Sequence, residues 1–316
     1  MGRIGKIEVK DVLVHHHGHD QATGQILKWS FLATIVFVVV EVIAGIHASS
    51  LALISDAGHN FTDALALVLA AIGLYLQSKP ADSVKTYGYH RAGVLTAFVN
   101  ALTLVGIAVF IFYEAWQRFL HPQHVEEWTM LWVAVAALAL NGGILWSLHR
   151  EKNRDLNIRA AFMHMLGDAV SSVGIIAGAI AIHFTGIDAI DPVLSILIGA
   201  LIIWTAWDII QESLNVLLEG LPRGMELSEV TGAMRKLDGV IDVHDLHIWS
   251  LGSSAHALSC HVLIEDMPPS ESNTILQRIN ELLCGFDIHH STIQFEHTKC
   301  DTPCSILVTH QHEHRA

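Results

Sequence analysis

Four side chains in two apolar stretches stand out for chemistry. ISDAGHNFTDALAL (54–67) and AFMHMLGDAVSS (161–172) each hold a histidine, an aspartate four residues later, and then an alanine. A spacing of four places His59 and Asp63 on one face of a helix, and His164 and Asp168 likewise. If the two helices pack together, two imidazole nitrogens and two carboxylate oxygens converge. Ionisable groups are costly inside hydrocarbon and face a partner or a water-filled cavity. Two such carboxylates repel unless a proton or a cation neutralises them, and a divalent ion does so with no charge left over. Histidine makes the set softer than carboxylates alone, which suits zinc or cobalt better than magnesium or calcium. Four ligands also match tetrahedral zinc. The plainer reading, hydrogen bonding across a bundle, accounts for one intramembrane histidine but poorly for two matched pairs. The neighbouring small residues Ala57, Gly58, Gly167 and Ala169 would let helices approach closely. Asp56, one turn before His59, is read either as an ion guide or as a solvated helix start. Glu41 and Asn100 are read as packing hydrogen bonders.

The elements that must position these residues follow from composition. Only 16% of the 316 residues are charged and 52% are hydrophobic, against about 25% charged in an ordinary soluble chain. Apolar runs predict six spans, near 29–48, 51–77, 92–119, 128–149, 158–184 and 191–216, each long enough for ~30 Å of hydrocarbon at ~1.5 Å per residue. The connection around Ala48–Ser50 is short enough to make the first two spans a hairpin. Lys and Arg set the orientation. Arg3, Lys6, Lys10, Lys28, Lys79, Lys85, Arg91, Arg150, Lys152, Arg154 and Arg159 fall on one side, and Arg118 alone on the other. That bias puts both termini in the cytoplasm.

After Gly220 the pattern becomes that of a soluble domain. An amphipathic helix is predicted over 225–237 with Ser228 as a candidate cap. Paired strands follow at 240–251 and 256–266, then a helix from Glu271 to Cys284 capped by Ser270, and a strand at 290–297. The order αββαβ lacks only a clear extra edge strand to be ferredoxin-like. This region carries 13 acidic and 6 basic residues, and no basic stripe points to nucleic acid. Cys260 and Cys284 are read as core thiols, and reduced cysteines suit a cytosolic domain. The predicted domains are a His-containing segment (1–27), a six-helix transmembrane domain (28–219), a cytoplasmic ferredoxin-like domain (220–299) and a Cys/His-containing tail (300–316). The His-rich ends, with His15, His16 and His17 at one and His310, His312 and His314 at the other, would gather zinc or serve as plain polar tails.

Taken together, the six-span layout and the strings SDAGHNFTD, TYGYHRAG, HMLGDAVSSVG, DPVLSILIG, LLEG and DLHIWSL resemble the cation diffusion facilitator family from about residue 27 to 298. The likeness is to its bacterial zinc/cadmium/cobalt exporters and to animal zinc transporters. It implies a homodimer in a multi-pass plasma membrane, a bacterial inner membrane, that exchanges cytoplasmic zinc for protons by alternating access. Cadmium or cobalt would be further cargo. Carried over by position, His59, Asp63, His164 and Asp168 match the family's transport site. Aspartate at the position of His59 marks manganese- or iron-selective members, so His59 favours zinc. His244, His261 and Glu296 match a cytoplasmic zinc site that bridges or stabilises the dimer. Gln294 stands where some relatives have a histidine ligand. Cys300 and Cys304 correspond to a cysteine pair that ligates zinc in some animal members, here at a looser C-x3-C spacing. His90 matches a loop ligand of animal relatives but reads better as an ordinary polar loop residue. A further metal site in the second-to-third loop is expected to be missing, because Asp82 matches while Lys85 and Tyr89 replace histidines.

Two other functional classes compete. A membrane zinc metalloenzyme needs a water-activating site, often H-E-x-x-H; no such string occurs, and four protein ligands leave zinc no open position. A membrane-embedded metal sensor or store needs no ligand pairs at membrane depth. The reading is therefore a secondary transporter and not an enzyme, with zinc as substrate and as regulatory ligand.

Overall fold

A computed structural model of the chain describes residue 32 and residues 34–149, 156–252 and 255–298, with side chains at all of these except 147, 148, 156–161 and 164. The helices are α1 (Thr34–His47), α2 (Leu51–Gln77), α3 (Ala92–Leu120), α4 (Glu127–His149), α5 (Leu156–Thr185) and α6 (Ile190–Leu217). Five of them, α2 to α6, contain stretches long and apolar enough to cross a membrane; the described part of α1 is apolar but shorter. They coincide with the predicted spans to within a few residues. Their outward faces are apolar, with Ile43, Leu74, Trp132, Trp146, Phe184 and Trp204 all exposed. This is the surface of a multi-pass membrane protein with six spans, for which lipid replaces water.

The described residues form two compact units. One holds the chain up to Leu67 together with Leu102–Ala206; the other holds Val68–Ala101 and the chain from Trp207. In the first, α1 and α2 make the expected hairpin. Ser49 takes a left-handed φ of 50° at the turn. A side chain on Gly45 would come within 2.8 Å of Ile54 and 3.3 Å of Leu53, so only glycine lets the two helices approach this closely.

The start of α2 is anchored by a residue 140 positions away in sequence. The Asp191 carboxylate at the start of α6 accepts from Leu51 N at 2.7 Å, Ala52 N at 3.2 Å and Ser50 Oγ at 2.6 Å. It thereby satisfies donors that a helix N-terminus leaves open, and places negative charge at the positive end of the helix dipole. Arg118 of α3 meets the same carboxylate at 3.3 Å and also donates to the Ser49 carbonyl. Asp191 is fully buried and Arg118 nearly so. The lone cation on that side of the charge count is therefore consumed inside the bundle, not presented to solvent.

In the second unit the C-terminal domain is built from α7 (Leu227–Met234), β1 (Asp242–Ser250), β2 (His256–Leu263), α8 (Pro269–Cys284) and β3 (Ile288–Glu296). The sheet order is β1-β2-β3, with β1 antiparallel to β2 and β2 parallel to β3. Parallel strands need a crossover, which α8 provides. Three strands are present among the described residues, a ferredoxin-like α+β arrangement without a fourth. Its core joins Val230 and Met234 of α7 to Leu258, Cys260 and Val262 of β2 and to Ile275, Ile279 and Leu283 of α8.

Several local expectations need correction. Helix α7 is shorter than expected and its cap position is Glu226, not Ser228. Helix α8 begins at Pro269, before the expected Ser270 cap, because proline's fixed φ suits a first helical turn. Cys284 is exposed, not a core thiol: the buried stripe of α8 runs 275, 279, 283, and the next residue turns about 100° away.

Candidate metal sites

Helix α2 carries His59 and Asp63 one turn apart, and α5 brings Asp168 against them. His59 Nε2 lies 3.4 Å from Asp168 Oδ1 and 3.9 Å from Asp63 Oδ2. One ligand atom from each of the three residues falls within 4.8 Å of the others. Two carboxylates and an imidazole thus meet around one point, with Asp168 almost entirely buried. At ~1.5 Å per residue, His59 and Asp63 lie about 12 and 18 Å along α2, near the middle of a ~30 Å hydrocarbon layer. His164 is in α5, one turn before Asp168, and its side chain lies outside the described residues.

The packing around this point differs in detail from expectation. Ala57 is fully buried, and a side chain on Gly58 would lie 3.0 Å from Ile107. Gly167, in contrast, has open space where a side chain would be, so it is not a close-approach residue. Asp56 is 2% exposed, which rules out a solvated helix start; the preceding turns of α2 are themselves sheathed by neighbouring helices. Glu41 of α1 is buried and accepts from Asn60 Nδ2 at 2.9 Å, in keeping with its reading as a packing hydrogen bonder.

A second cluster lies on the sheet of the C-terminal domain. His244 of β1 pairs across the ladder with His261 of β2, and Glu296 ends β3 opposite Leu263. His244 Nε2 lies 3.1 Å from Glu296 Oε2 and His261 Nδ1 lies 2.8 Å from Glu296 Oε1. One ligand atom from each also falls within 4.8 Å of the others. Yet Glu296 Oε2 and His261 Nδ1 are buried without a hydrogen bond of acceptable geometry. Two imidazoles with a carboxylate, gathered this closely, are a donor set that fits zinc. Gln294, expected in place of a ligand, donates to Glu296 Oε1 at 3.1 Å and so orients the carboxylate.

Asp245 was not singled out by sequence. It has a left-handed φ of 50° where the β1–β2 register shifts between His244 and His247. The extra residue of this bulge reverses the inward alternation, which is why Val243 and Ile248, five apart, both reach the core. Its carboxylate lies 3.2 Å from His247 Nε2 and 3.9 Å from His261 Nε2. Asp245 is thus hydrogen-bonded to His247 and adds a nearby negative charge beside His261. The one available signal was the acidic residue interrupting the apolar alternation of VHDLHIWSL.

Asp82 in the α2–α3 loop is engaged within the loop. It accepts from the Lys85 and Val84 amides, each at 2.7 Å, and from the Tyr89 hydroxyl at 3.0 Å. Those bonds, the Lys85 amide first, hold its carboxyl below the usual carboxylate range. His90 is exposed and its carbonyl accepts from Gln77. Cys300, Cys304, His15, His16 and His17 lie outside the described residues.

Comparison with known proteins agrees with this architecture. The cation efflux transmembrane domain matches residues 27–218, and the cytoplasmic domain of cation efflux proteins matches 222–298. The chain is 40% identical to the zinc transporter ZitB of Pectobacterium atrosepticum over 96% of its length and 94% of the relative's. It is 39% identical to the metal cation efflux system protein CzcD of Cupriavidus metallidurans, over 91% of each chain. A Bacillus subtilis cadmium, cobalt and zinc/H(+)-K(+) antiporter is 36% identical over 89% of this chain and 91% of its own. With both domains matched in their family order across nearly the whole chain, this protein belongs to the cation diffusion facilitator family of metal cation efflux transporters.

Proposed function

We propose that this transporter exports zinc from the cytoplasm in exchange for protons, through a site formed by His59, Asp63, His164 and Asp168. The observation that carries the reading is the meeting of His59, Asp63 and Asp168 within 4.8 Å from helices more than a hundred residues apart in sequence. Such a set binds a borderline-soft divalent ion, and its relatives are named for zinc, cadmium and cobalt. Zinc needs neutral imidazoles and ionised carboxylates, so loading releases protons and protonation expels the ion. A more acidic exterior then unloads the site when it faces outward, and alternating access converts the proton gradient into zinc export. Eleven Lys and Arg residues against one support cytoplasmic termini, and likeness to bacterial transporters supports a bacterial inner membrane.

The second cluster, His244, His261 and Glu296, serves in this reading as a regulatory zinc site of a homodimer. Its donor set supports that role, as does the match to the family's cytoplasmic domain. The test is zinc flux in proteoliposomes under an imposed pH gradient. Asp63→Ala and His164→Ala should each abolish flux while inserting and folding normally. Wild-type rates in both variants would remove the site assignment, and flux indifferent to the pH gradient would remove the antiport.

A further inference from the structure

Beside the site of the proposed function lies a pair of buried acids that it does not use. Glu41 on α1 is 0% exposed and Asp56 on α2 is 2% exposed. Asn60 donates to Glu41 Oε2 at 2.9 Å. The other oxygen, Glu41 Oε1, is buried with no donor, and so is Asp56 Oδ2. Asp56 and Asn60 lie one helical turn apart on α2, so Glu41, held by Asn60, stands against the face of α2 that carries Asp56. Two ionised carboxylates are acceptors only, so neither can satisfy the other. Both orphan oxygens are satisfied at once if a single proton lies between them. Leaving them bare would strand two anions in the apolar bundle, at a cost no buried group escapes without neutralisation or pairing.

We infer that Glu41 and Asp56 form a proton-binding site, distinct from the metal ligands, that holds one shared proton when the transport site is empty of zinc and releases it when zinc binds. A metal cation fits the place less well. Hard cations collect several oxygens, six or more for calcium, whereas among the described residues these two acids each offer one open oxygen here, and the Asn60 amide nitrogen is already committed to Glu41. The other titratable groups of the described residues that act on the pair are His59 on α2 and Asp168 on α5, with Asp168 in electrostatic reach of both acids. Without zinc, burial in the apolar bundle first, and then the uncompensated carboxylates of the empty transport site, favour keeping the proton. Zinc on His59, Asp63 and Asp168 cancels the negative charge of the transport site and so lowers the cost of two ionised carboxylates beside it. The O–H bond of the shared carboxyl breaks, the proton passes to water, and no electron moves. Coupling thus gains a proton beyond any released by the ligands themselves. This inference rests on the transport-site reading given above.

The test uses the full-length purified protein. Infrared difference spectra on adding zinc should show loss of a protonated-carboxyl carbonyl band in the wild type, and that loss should be missing in Glu41→Gln. Proton release per zinc, read with an indicator dye in weak buffer, should fall by about one in Glu41→Gln and equally in Asp56→Asn. Both variants should still bind zinc with affinity within a few-fold of wild type, whereas Asp63→Ala should lose it. Wild-type protein that shows no carboxyl band loss, or variants that release as many protons per zinc as wild type, would overturn the proposal. So would a band that responds to potassium at constant pH, because the pair would then hold a metal cation. Undiminished zinc binding by Asp63→Ala would instead overturn the transport-site reading, and the acid pair is then judged alone by titrating its carbonyl band with pH.

Discussion

Replacing Asp191 by alanine should loosen the bundle far more than its distance from any metal ligand suggests. The substitution removes one carboxylate and with it the acceptor of Leu51 N, Ala52 N and Ser50 Oγ. It also leaves the Arg118 guanidinium, whose side chain is 8% exposed, without its buried counter-ion. Loss of an N-cap costs about 1 kcal/mol, and breaking a buried pair by removing one partner costs about 3–5 kcal/mol. The two losses overlap because a single group serves both. Arg118 keeps Glu114 at 3.4 Å and the Ser49 carbonyl, which pulls the total toward the lower end, about 3 kcal/mol. Spread over a transmembrane domain of this size, that is roughly 6–12 °C in Tm at ~2–4 °C per kcal/mol. Scanning fluorimetry in detergent would measure it. Exchanging both residues, Asp191→Ala with Arg118→Met, removes the stranded cation and should recover part of the loss as a coupling energy. A single variant melting within about 1 °C of wild type, or a double variant whose loss is the simple sum of the singles, would refute the account of Asp191 as the clasp of α2.

Three further outcomes are expected. His59→Asp adds a third carboxylate to the transport site and should shift competition uptake from zinc toward manganese or iron; an unchanged zinc preference would count against the ligand role of His59. Joint alanine replacement of His244, His261 and Glu296 should abolish zinc-induced stabilisation of the protein, about 2.7 kcal/mol at a hundredfold excess over Kd, while partial flux remains. Complete loss of flux with normal dimerisation would place that cluster on the transport path. Burial pushes the Cys260 thiol up to about 12, so at pH 7 only about one molecule in 10⁵ carries the thiolate, which is the reactive form. Cys260 should resist alkylation in the folded protein and react only after unfolding, whereas the exposed Cys284 should react at once; mass spectrometry of the labelled protein distinguishes the two.

The spans, their order and the two-domain plan were legible because hydrocarbon imposes a severe filter on composition. A stretch such as Ala92–Leu120 has no alternative to a helix there, since every backbone polar group must be satisfied within the segment. The placing of His59 and Asp63 on one face of α2 was legible for an equally local reason: a spacing of four is one helical turn. The alternation of β2 and the βαβ order of the C-terminal domain follow from periodicity in the same way. Local geometry also explains the small errors, such as a cap misplaced to Ser228 or a thiol at Cys284 assigned to the wrong side of its helix.

What the chain could not reveal by itself depends on residues far apart in sequence arriving at one point. Nothing near Ser50 announces that Asp191, in another helix, will close the start of α2. The composition of α1 cannot say that Glu41 will take the Asn60 amide of α2, or that Asp56 one turn earlier will be as deeply buried. Asp245 becomes a neighbour of His261 only because a bulge reverses the strand's alternation, and a bulge is chosen by what both flanking stretches must bury. Sequence by itself determined which residues were costly to bury and which helix faces they shared, because those are properties of single segments. Tertiary structure decided which costly groups answer one another, because the energy of a buried charge is set by the partner that the fold delivers to it.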